Sequence, residues 1–306
     1  MQSNFLKHIG THLKSYTELK PIKTGLTPDI KAFKDIKAII FDIYGTLIIS
    51  SSGDLDKATI TVGNLTKALN QGGFFWSDNN SEKDFGEELL VLFQNTIIEH
   101  QQKLKQKGHP YPEVDIIKVW EQCIKVSIKN RWIIKNSNSS IKILTAVFEI
   151  LSNPVWPMSG MHTVLQTLKA KNTPIGIVSN AQFYTPIIMN YFANGKLTGI
   201  EQIIGFDADI SIFSYKLSRS KPDTKLFDIL AKNLHEKYNF SPHEVLFIGN
   251  DMLKDIWAAK QLGFKTALFA GDKRSLRLHE NDKRCKGLKP DVIMTELDQL
   301  LQIIDN

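Results

Sequence analysis

Asp42 is the first residue whose type and position could support catalysis. It follows the apolar run Ala38–Phe41, and a Gly-Thr turn comes directly after it at Gly45–Thr46. A carboxylate at the end of a strand can attack phosphorus or carbon and form a covalent ester, which divides one difficult displacement into two easier ones. A turn or helix-cap role is the alternative for Asp42, and a simple turn role is the alternative for Thr46. The pattern favours a nucleophilic aspartate.

Further polar residues follow later apolar runs. Ser179 and Asn180 close the second run, and the Ser179 hydroxyl could donate to a phosphoryl oxygen. Both residue types are also common helix caps, and the two roles are compatible. Lys221 precedes a Pro-Asp pair, where its charge could neutralise both a nucleophile and a phosphoryl group.

An acidic pair follows the third apolar run. Asp251 and Asp255 lie one helical turn apart and face the same side of a predicted helix start. Together with Asp42 they could form an oxygen-rich pocket of the kind that Mg²⁺ prefers. The alternative is a helix N-terminus enriched in acids that suit its dipole. We favour the metal site, because three crowded carboxylates without a cation would repel one another.

Four apolar runs must position these residues. Each run is rich in β-branched or aromatic residues and is apolar on successive positions, which is typical of parallel strands buried on both faces. Helical patterns alternate with the runs, so we predict an open α/β sheet that binds ligands at the carboxyl ends of its strands. The predicted strands are 38–42, 174–180, 244–251 and 265–272, and the predicted helices are 161–171, 224–238 and 252–264.

The alternation stops between residues 51 and 156, where the patterns are mostly helical. We therefore predict an all-helical cap domain over 51–156, inserted into an α/β core made of 36–50 and 157–306. Residues 1–35 are predicted to form an N-terminal arm with no chemistry of its own. The predicted cap helices are 87–107, 114–130 and 140–151.

Four motifs occur in order, each at a predicted strand end: FDIYGTL, VSN, KPD and IGNDMLKD. In this order and spacing they resemble the haloacid dehalogenase-like (HAD) hydrolase superfamily over about 36–50 and 157–275. The resemblance implies a Rossmann-like core with a helical cap. It also implies that Asp42 is the nucleophile, that Lys221 is catalytic, and that Mg²⁺ binds Asp42, the carbonyl of Tyr44 and an acid of the last motif.

The last motif departs from the common pattern of the superfamily. Members often carry an aspartate immediately after the glycine of the strand, whereas this chain has Asn250 there and Asp251 next. Which of Asn250, Asp251 and Asp255 contacts the metal is therefore open, and we favour Asp251.

Tyr44 stands where phosphatases of the superfamily carry a second aspartate that protonates the leaving alcohol. A tyrosine has an intrinsic pKa of about 10 and is a poor proton donor at neutral pH. Loss of a general acid reduces the rate by about 10²–10⁴-fold for a poor leaving group, and by little for an acyl phosphate, a phenol or a halide.

The 2-haloacid dehalogenases of the superfamily are similar in carrying Asp-x-Tyr-Gly-Thr. They need no metal and rely on a cap arginine, but this chain has no arginine before Arg131. We expect a Mg²⁺-dependent phosphohydrolase that acts through an aspartyl-phosphate on a small phosphorylated metabolite. A metal-independent dehalogenase acting through an aspartyl ester comes second, and a binding module with a decayed site comes last.

The composition sets broader limits. Apolar residues make up 42% of the 306 residues and the net charge is +6, with lysines spread along the chain. We expect a globular protein with a small anionic substrate and no nucleic-acid partner. No uninterrupted apolar run of about 18 residues is present, so no membrane span is expected. Cys123 and Cys285 form no disulfide framework, and the N-terminus has no secretory pattern, which favours the cytoplasm.

A basic stretch, 271–284, follows the last predicted core strand. Two interpretations are equally open. Lys273, Arg274 and Arg277 could attract a second anionic group of the substrate, or the stretch could be a solvated loop.

Overall fold

The computed structural model describes residues 2–15, 17–52, 60–78 and 81–304. The chain divides into two compact units, Met1–Thr17 with Lys57–Pro154 and Glu18–Asp56 with Val155–Asn306. Residues 53–59 of the predicted cap lie outside the described residues, as do 79–80.

Short strands and longer helices alternate along the described residues. The strands are β1 Ala38–Phe41, β2 Ile48–Ser50, β3 Phe74–Trp76, β4 Ile133–Lys135, β5 Val155–Pro157, β6 Ile175–Ser179, β7 Ser211–Phe213, β8 Val245–Gly249, β9 Lys265–Phe269 and β10 Val292–Met294. The helices are α1 Gln2–Ser15, α2 Val62–Gln71, α3 Ser81–Gln106, α4 Ile116–Lys129, α5 Ile141–Ser152, α6 Met161–Ala170, α7 Thr185–Asn194, α8 Ser214–Leu217, α9 Lys225–Tyr238, α10 Ala258–Gln261 and α11 Leu300–Ile304. A π-helical segment, Met252–Trp257, leads into α10.

The second unit is built on a six-stranded sheet in the order β10-β9-β8-β1-β6-β7. Every neighbouring pair in this sheet is parallel. The predicted α/β fold is confirmed, and β1, β6, β8 and β9 are the four predicted strands. The edge strands β7 and β10, of three residues each, were not predicted.

The residues of β1 explain its central place. All four are buried, because their side chains pack on both faces of the sheet. On one face Phe227 and Phe247 meet edge to face at 4.9 Å, in the same cluster as Ile40. The register places Phe41 opposite both Ile177 and Ile248, so the carboxyl ends of β1, β6 and β8 lie side by side. Residues that follow these three strands therefore meet at one sheet edge.

The first unit is mainly helical and has its own aromatic core. Phe93, Trp120 and Phe148 are buried with ring centroids 4.4–5.6 Å apart. The predicted insert helices correspond to α3, α4 and α5, although a small antiparallel ribbon of β3 and β4 is also present. The insert is thus not purely helical.

The predicted N-terminal arm is divided between the two units. Helix α1 belongs to the first unit, where His8 and His12 both contact Oε1 of Gln71, at 2.9 and 3.0 Å. Residues 18–35 belong to the second unit. There Asp29 and Ile293 exchange two backbone hydrogen bonds, of 2.9 and 3.0 Å, beside β10.

Within the ranges that the structure describes, no helix combines the length and apolar character that crossing a membrane requires.

Candidate active site

Lys221 lies at the centre of the candidate site. Its Nζ is 2.7 Å from Oδ1 of Asp42 and 2.5 Å from Oδ1 of Asp255, and its side chain is only 3% exposed. Burial lowers the pKa of Lys221, but the two carboxylates outweigh this effect and hold the pKa above its usual value. The lysine is therefore a buried cation shared by two acids.

Asp42 follows β1 and is fixed by the sheet. Its backbone N–H donates to the carbonyl of Ile248, at 2.8 Å. Oδ1 accepts from Lys221, whereas Oδ2 accepts no hydrogen bond within the described residues. One oxygen is thus oriented by a cation and the other is left for a substrate. This is the arrangement that a nucleophilic carboxylate needs.

Asp255 is buried, and both of its oxygens are occupied. Oδ1 accepts from Lys221, and Oδ2 accepts the backbone N–H of Asp251 at 3.0 Å. The pKa of Asp255 is raised to about 7, chiefly by burial and also by the carboxylates of Asp42 and Asp251, against the opposing effect of Lys221. A raised pKa of Asp255 favours a neutral acid, whereas the raised pKa of Lys221 indicates an ammonium group that faces ionised carboxylates. We regard the contact as an ion pair, because the lysine faces two carboxylates.

Gly249 makes room for the carboxylate of Asp255. A Cβ atom at position 249 would lie 2.3 Å from Oδ2 of Asp255 and 2.4 Å from its Cγ. Real Cβ atoms do not approach so closely. The glycine at the end of β8 is therefore required for the packing of Asp255 against the strand.

Asp251 caps the π-helical segment that begins at Met252. Its Oδ1 accepts the backbone N–H groups of Leu253 and Lys254, at 2.9 and 2.7 Å. His279 Nε2 lies 2.9 Å from the same oxygen. Burial raises the pKa of Asp251, but His279 and the amide of Lys254 outweigh burial and hold it below its usual value. Asp251 is thus ionised, and Oδ2 accepts no hydrogen bond from the described residues.

Asn250 and Thr46 are hydrogen-bonded to each other and hold the turn that follows Asp42. Thr46 donates its hydroxyl to Oδ1 of Asn250 at 3.2 Å, and Asn250 Nδ2 donates to the carbonyl of Ser275 at 2.7 Å. Gly45 has φ +84°, and a Cβ there would lie 2.5 Å from the Cβ of Ser275. Both polar groups of Asn250 are therefore engaged in positioning the turn after Asp42.

Asn180 fixes the backbone of Lys221. Its Oδ1 accepts the Lys221 N–H at 2.7 Å, and its Nδ2 donates to the Lys221 carbonyl at 3.2 Å. The peptide bond between Lys221 and Pro222 is cis. Ser179 is fully buried, and its hydroxyl has no hydrogen-bond partner in the part of the chain that the structure describes.

Tyr44 lines the site, and its hydroxyl is 2.8 Å from Oγ1 of Thr185. The phenol therefore has a partner at the first residue of α7. Its position is fixed by that contact.

A cleft opens over these groups, with an empty volume of about 460 Å³. Tyr44 is the sole aromatic residue among the lining residues, and the rest are polar or charged. Ser179 and Thr46 do not line the cleft. The lining residues are Asp42, Tyr44, Asn180, Lys221, Asn250, Asp251, Lys254, Asp255, Ser275 and Arg277.

The basic stretch after β9 is only partly at the cleft. Arg277 lines it, and its Nη1 donates to the carbonyls of Arg274 and Leu276, at 2.7 and 3.0 Å. Arg274 instead pairs with Asp272, at 3.0 Å. Of the three basic residues considered for a second anion, only Arg277 lines the cleft.

The carboxylates of the site fit a divalent cation. Among the described residues no three His, Cys, Asp or Glu side chains are placed to hold a metal alone. Yet Oδ2 of Asp251 accepts no hydrogen bond among the described residues, and Oδ1 of Asp42, which accepts one hydrogen bond from Lys221, keeps a second lone pair. Mg²⁺ commonly binds through one or two carboxylates and keeps several waters. These two oxygens suit such an ion and leave Oδ2 of Asp42 for a substrate.

Ser275, His279 and Lys254 are residues of the site that the sequence did not indicate. Ser275 acts through its backbone carbonyl, which leaves no side-chain signal. His279 lies 28 residues after Asp251 and outside any motif, in a loop where its φ is +51°. Lys254 lies within the last motif, on the π-helical segment, and lines the cleft.

Comparison with known proteins agrees with this geometry. A family described as haloacid dehalogenase-like hydrolase matches residues 36–263. Over 167 residues the chain is 33% identical to a glyceraldehyde 3-phosphate phosphatase of Pyrococcus furiosus, covering 50% of this chain and 63% of that protein. Over 116 residues it is 31% identical to the rhythmically expressed gene 2 protein of Drosophila melanogaster, covering 37% of this chain and 40% of that protein.

The matched stretches thus span less than two thirds of either curated relative. Among solved structures, an L-2-haloacid dehalogenase from Xanthobacter autotrophicus aligns with a TM-score of 0.45 and 16% identity, over 87% of this chain and 97% of that chain. The family match covers most of the 306 residues. The chain therefore belongs to the haloacid dehalogenase-like hydrolases.

Proposed function

We propose that this hydrolase is a Mg²⁺-dependent phosphatase that acts on a small phosphorylated metabolite through an aspartyl-phosphate on Asp42. One observation carries the proposal. Asp42 is held through Oδ1 by Lys221 at 2.7 Å, while Oδ2 has no hydrogen bond among the described residues and belongs to a polar cleft. The 33% identical relative from Pyrococcus furiosus is itself named as a phosphatase.

The proposed reaction has two displacements at phosphorus. Asp42 Oδ2 attacks the phosphorus, and the bond between phosphorus and the leaving oxygen breaks, with its electron pair going to that oxygen. The leaving oxygen then takes a proton from water. In the second step a water molecule attacks the same phosphorus, and the bond between phosphorus and Asp42 Oδ2 breaks with its electron pair returning to the carboxylate. The attacking water gives its proton to the hydroxide that the first step left in solvent, and inorganic phosphate leaves.

Lys221 stabilises both displacements. Its charge lies beside the nucleophile and can offset the charge that develops on the phosphoryl oxygens. Asp255 holds the ammonium group from the other side, at 2.5 Å, so Lys221 needs no reorganisation during the reaction. Asp255 is therefore a positioning residue in this scheme.

Asp42, Asp251 and the backbone carbonyl of Tyr44 are the groups that would hold Mg²⁺. A bound Mg²⁺ supplies positive charge that neutralises phosphoryl oxygens. Asn250 is a weaker candidate ligand, because its amide already bonds Thr46 and Ser275. Asp255 is weaker for the same reason, since both of its oxygens are engaged.

Tyr44 sets an expected substrate preference. Its hydroxyl is paired with Thr185, and a tyrosine is a poor general acid at neutral pH. We therefore expect faster turnover of phosphate esters whose leaving group is already a weak base, such as aryl or acyl phosphates.

A metal-independent 2-haloacid dehalogenase is the second candidate, favoured by the tyrosine at position 44. The lining of the cleft argues against it. A haloalkanoate brings an alkyl chain and a halide, and Tyr44 is the sole largely apolar side chain among the described residues that line the cleft. The remaining hypothesis, a decayed binding module, is disfavoured because Asp42, Lys221 and Asp255 remain in ion-pair contact.

Hydrolysis of p-nitrophenyl phosphate and L-2-chloropropionate, each with Mg²⁺ and with EDTA, tests the proposal. We expect phosphate release that EDTA abolishes and no chloride release. The Asp42→Asn variant serves as the blank, since it removes the nucleophile and keeps the shape. Chloride release that persists in EDTA would instead establish the dehalogenase.

A further inference from the structure

The loop after β9 contacts the candidate site through its backbone. We call residues 271–277 the supporting loop. The carbonyl of Ser275 accepts from Asn250 Nδ2 at 2.7 Å, and the N–H of Arg277 donates to the Asn250 carbonyl at 3.0 Å. The N–H of Met252 donates back to the Arg277 carbonyl at 2.8 Å. The position of Asn250, and through it the turn at Thr46, therefore depends on this loop.

Asp272 organises the supporting loop from within. It is 1% exposed, and its two carboxylate oxygens lie 3.2 and 3.0 Å from Nε of Arg274. Its backbone carbonyl accepts both the N–H and the hydroxyl of Ser275, at 3.1 and 3.2 Å. A buried carboxylate needs such partners, because an unpaired one would be strongly destabilising.

The N-terminal segment makes further hydrogen bonds to this loop. The N–H of Ile22 donates to Oδ1 of Asp272 at 3.1 Å, and the N–H of Lys273 donates to the Ile22 carbonyl at 2.8 Å. Arg274 Nη2 donates to the Lys20 carbonyl at 2.6 Å. Thr24 donates its hydroxyl to the carbonyl of Ala270 at 2.9 Å. Residues 20–24 are thus bonded along the outer side of the supporting loop.

We propose that Asp272 is a positioning residue for the hydrolase reaction, and that segment 20–24 helps to position the active site through its hydrogen bonds to the supporting loop. An unbroken chain of hydrogen bonds leads from Ile22 through Asp272 and Ser275 to Asn250 and Thr46. Asp42 lies four residues before Thr46, in the same turn. Disturbing the first link shifts the last one, because each partner in the chain is buried or held on both sides. The inference holds for whichever ester the enzyme hydrolyses.

The chain contains a matched control for this proposal. The tripeptide Asp-Lys-Arg occurs at 272–274 and again at 282–284. Asp282 pairs with Arg284 as Asp272 pairs with Arg274, at 2.7 Å from Nη2. The side chain of Asp282 is 26% exposed, and its carboxylate contacts neither Ser275 nor the N-terminal segment. Each aspartate therefore forms an ion pair with the arginine two residues after it, but only Asp272 is also hydrogen-bonded to Ser275 and to the N-terminal segment.

The kinetic test compares Asp272→Asn with Asp282→Asn in the full chain. The introduced amide would place an NH₂ group against donors that now face a carboxylate. We expect kcat to fall roughly 10–100-fold in Asp272→Asn, with KM changed by less than about threefold, because misplacement of a reacting group affects the transition state more than binding. Asp282→Asn should keep both constants within about twofold of the wild type.

A second measurement does not need turnover. Hydrogen–deuterium exchange followed by mass spectrometry reports the turn amides at 45–47, which donate to carbonyls of Ile43 and Ile48. We expect about tenfold faster exchange there in Asp272→Asn and wild-type exchange in Asp282→Asn, as for the loss of one hydrogen bond. This readout separates the inference from the proposed phosphatase activity.

Ile22→Pro is a milder variant for the case in which Asp272→Asn does not fold. Proline lacks the N–H that Ile22 donates to Asp272, and the Ile22 side chain is 48% exposed, so little packing is lost. We expect the same direction of change in kcat and in exchange at 45–47. If Ile22→Pro and any folded Asp272→Asn protein match Asp282→Asn in both measurements, segment 20–24 has no role in the site.

Discussion

Replacing Lys221 with methionine should reveal how strongly the site depends on one cation. Nζ is 2.7 Å from Asp42 and 2.5 Å from Asp255, and the three side chains are 2–8% exposed. With an effective dielectric constant of about 20, each pair attracts by about 6 kcal/mol before desolvation is counted. Removing one partner of a buried ion pair typically destabilises a protein by about 3–5 kcal/mol. We expect a loss in this range, together with a roughly 10²–10³-fold fall in kcat.

The loss of stability should depend on pH with a definite sign. Burial raises the pKa of Asp255 to about 7, and Lys221 opposes that rise. Without the lysine the pKa rises further, so the folded protein binds a proton that the unfolded chain releases. This group stabilises the fold at pH below its unfolded pKa and loses its effect as pH rises through the folded pKa. Lys221→Met should therefore be least destabilised near pH 5 and most destabilised near pH 8.

Urea unfolding at pH 5 and pH 8 measures both quantities, and the double variant Lys221→Met, Asp255→Asn is the control. The double variant should regain about 2 kcal/mol of stability at pH 8 while it stays inactive, because one of the uncompensated charges is gone. A Lys221→Met protein within 1 kcal/mol of the wild type at both pH values would refute this electrostatic account.

Three further predictions concern the supports of the site and of the sheet. Asn180→Ala removes both hydrogen bonds to the Lys221 backbone and should lower the free energy of unfolding by about 1–3 kcal/mol. In the same variant kcat should fall by a larger factor than the factor by which KM changes. Gly249→Ala places a Cβ 2.3 Å from Oδ2 of Asp255, so it should destabilise the protein by about 1–3 kcal/mol and reduce kcat. Gly63→Ala, with no atom within 4 Å of its Cβ and no positive φ, tests glycine loss alone. Asp291 accepts hydrogen bonds from Lys260 and Thr266. Burial raises the pKa of Asp291, but these partners outweigh burial and hold the pKa below its usual value. The stabilisation that Asp291 provides is therefore present above its unfolded pKa and is lost as pH falls through its folded pKa. Asp291→Asn should therefore lower the melting temperature at pH 7, and the melting temperature of the variant should fall less than that of the wild type as the pH is lowered. An equal fall of the melting temperature in acid for both proteins would contradict this.

The convergence of the acidic and basic residues was predictable from the sequence. Asp42 follows β1, and Asp251 and Asp255 follow β8, and parallel strands bring such positions to one edge. Lys221 lies instead between α8 and α9, and its Lys-Pro-Asp motif is what indicated it. The central strands were equally clear, because long runs of buried residues leave a strong pattern. The strands β7 and β10 have three residues each and leave almost none.

Backbone contacts explain much of what the sequence did not indicate. Ile22, Asp29 and Ser275 act through N–H or C=O groups, which every non-proline residue carries. Arg274 looked suited to an anion, but the buried Asp272 two residues earlier takes its charge. Ser179 remains a predicted substrate contact, although its hydroxyl is buried and does not line the cleft.

The two backbone bonds between Asp29 and Ile293 bear on how the protein should be shortened. An outer strand with bare N–H and C=O groups invites another chain to pair with it and so promotes aggregation. The segment around Asp29 covers part of β10 in this way, at 2.9 and 3.0 Å, yet the family match begins only at residue 36. A version trimmed to the family boundary would expose that edge of the sheet to self-association.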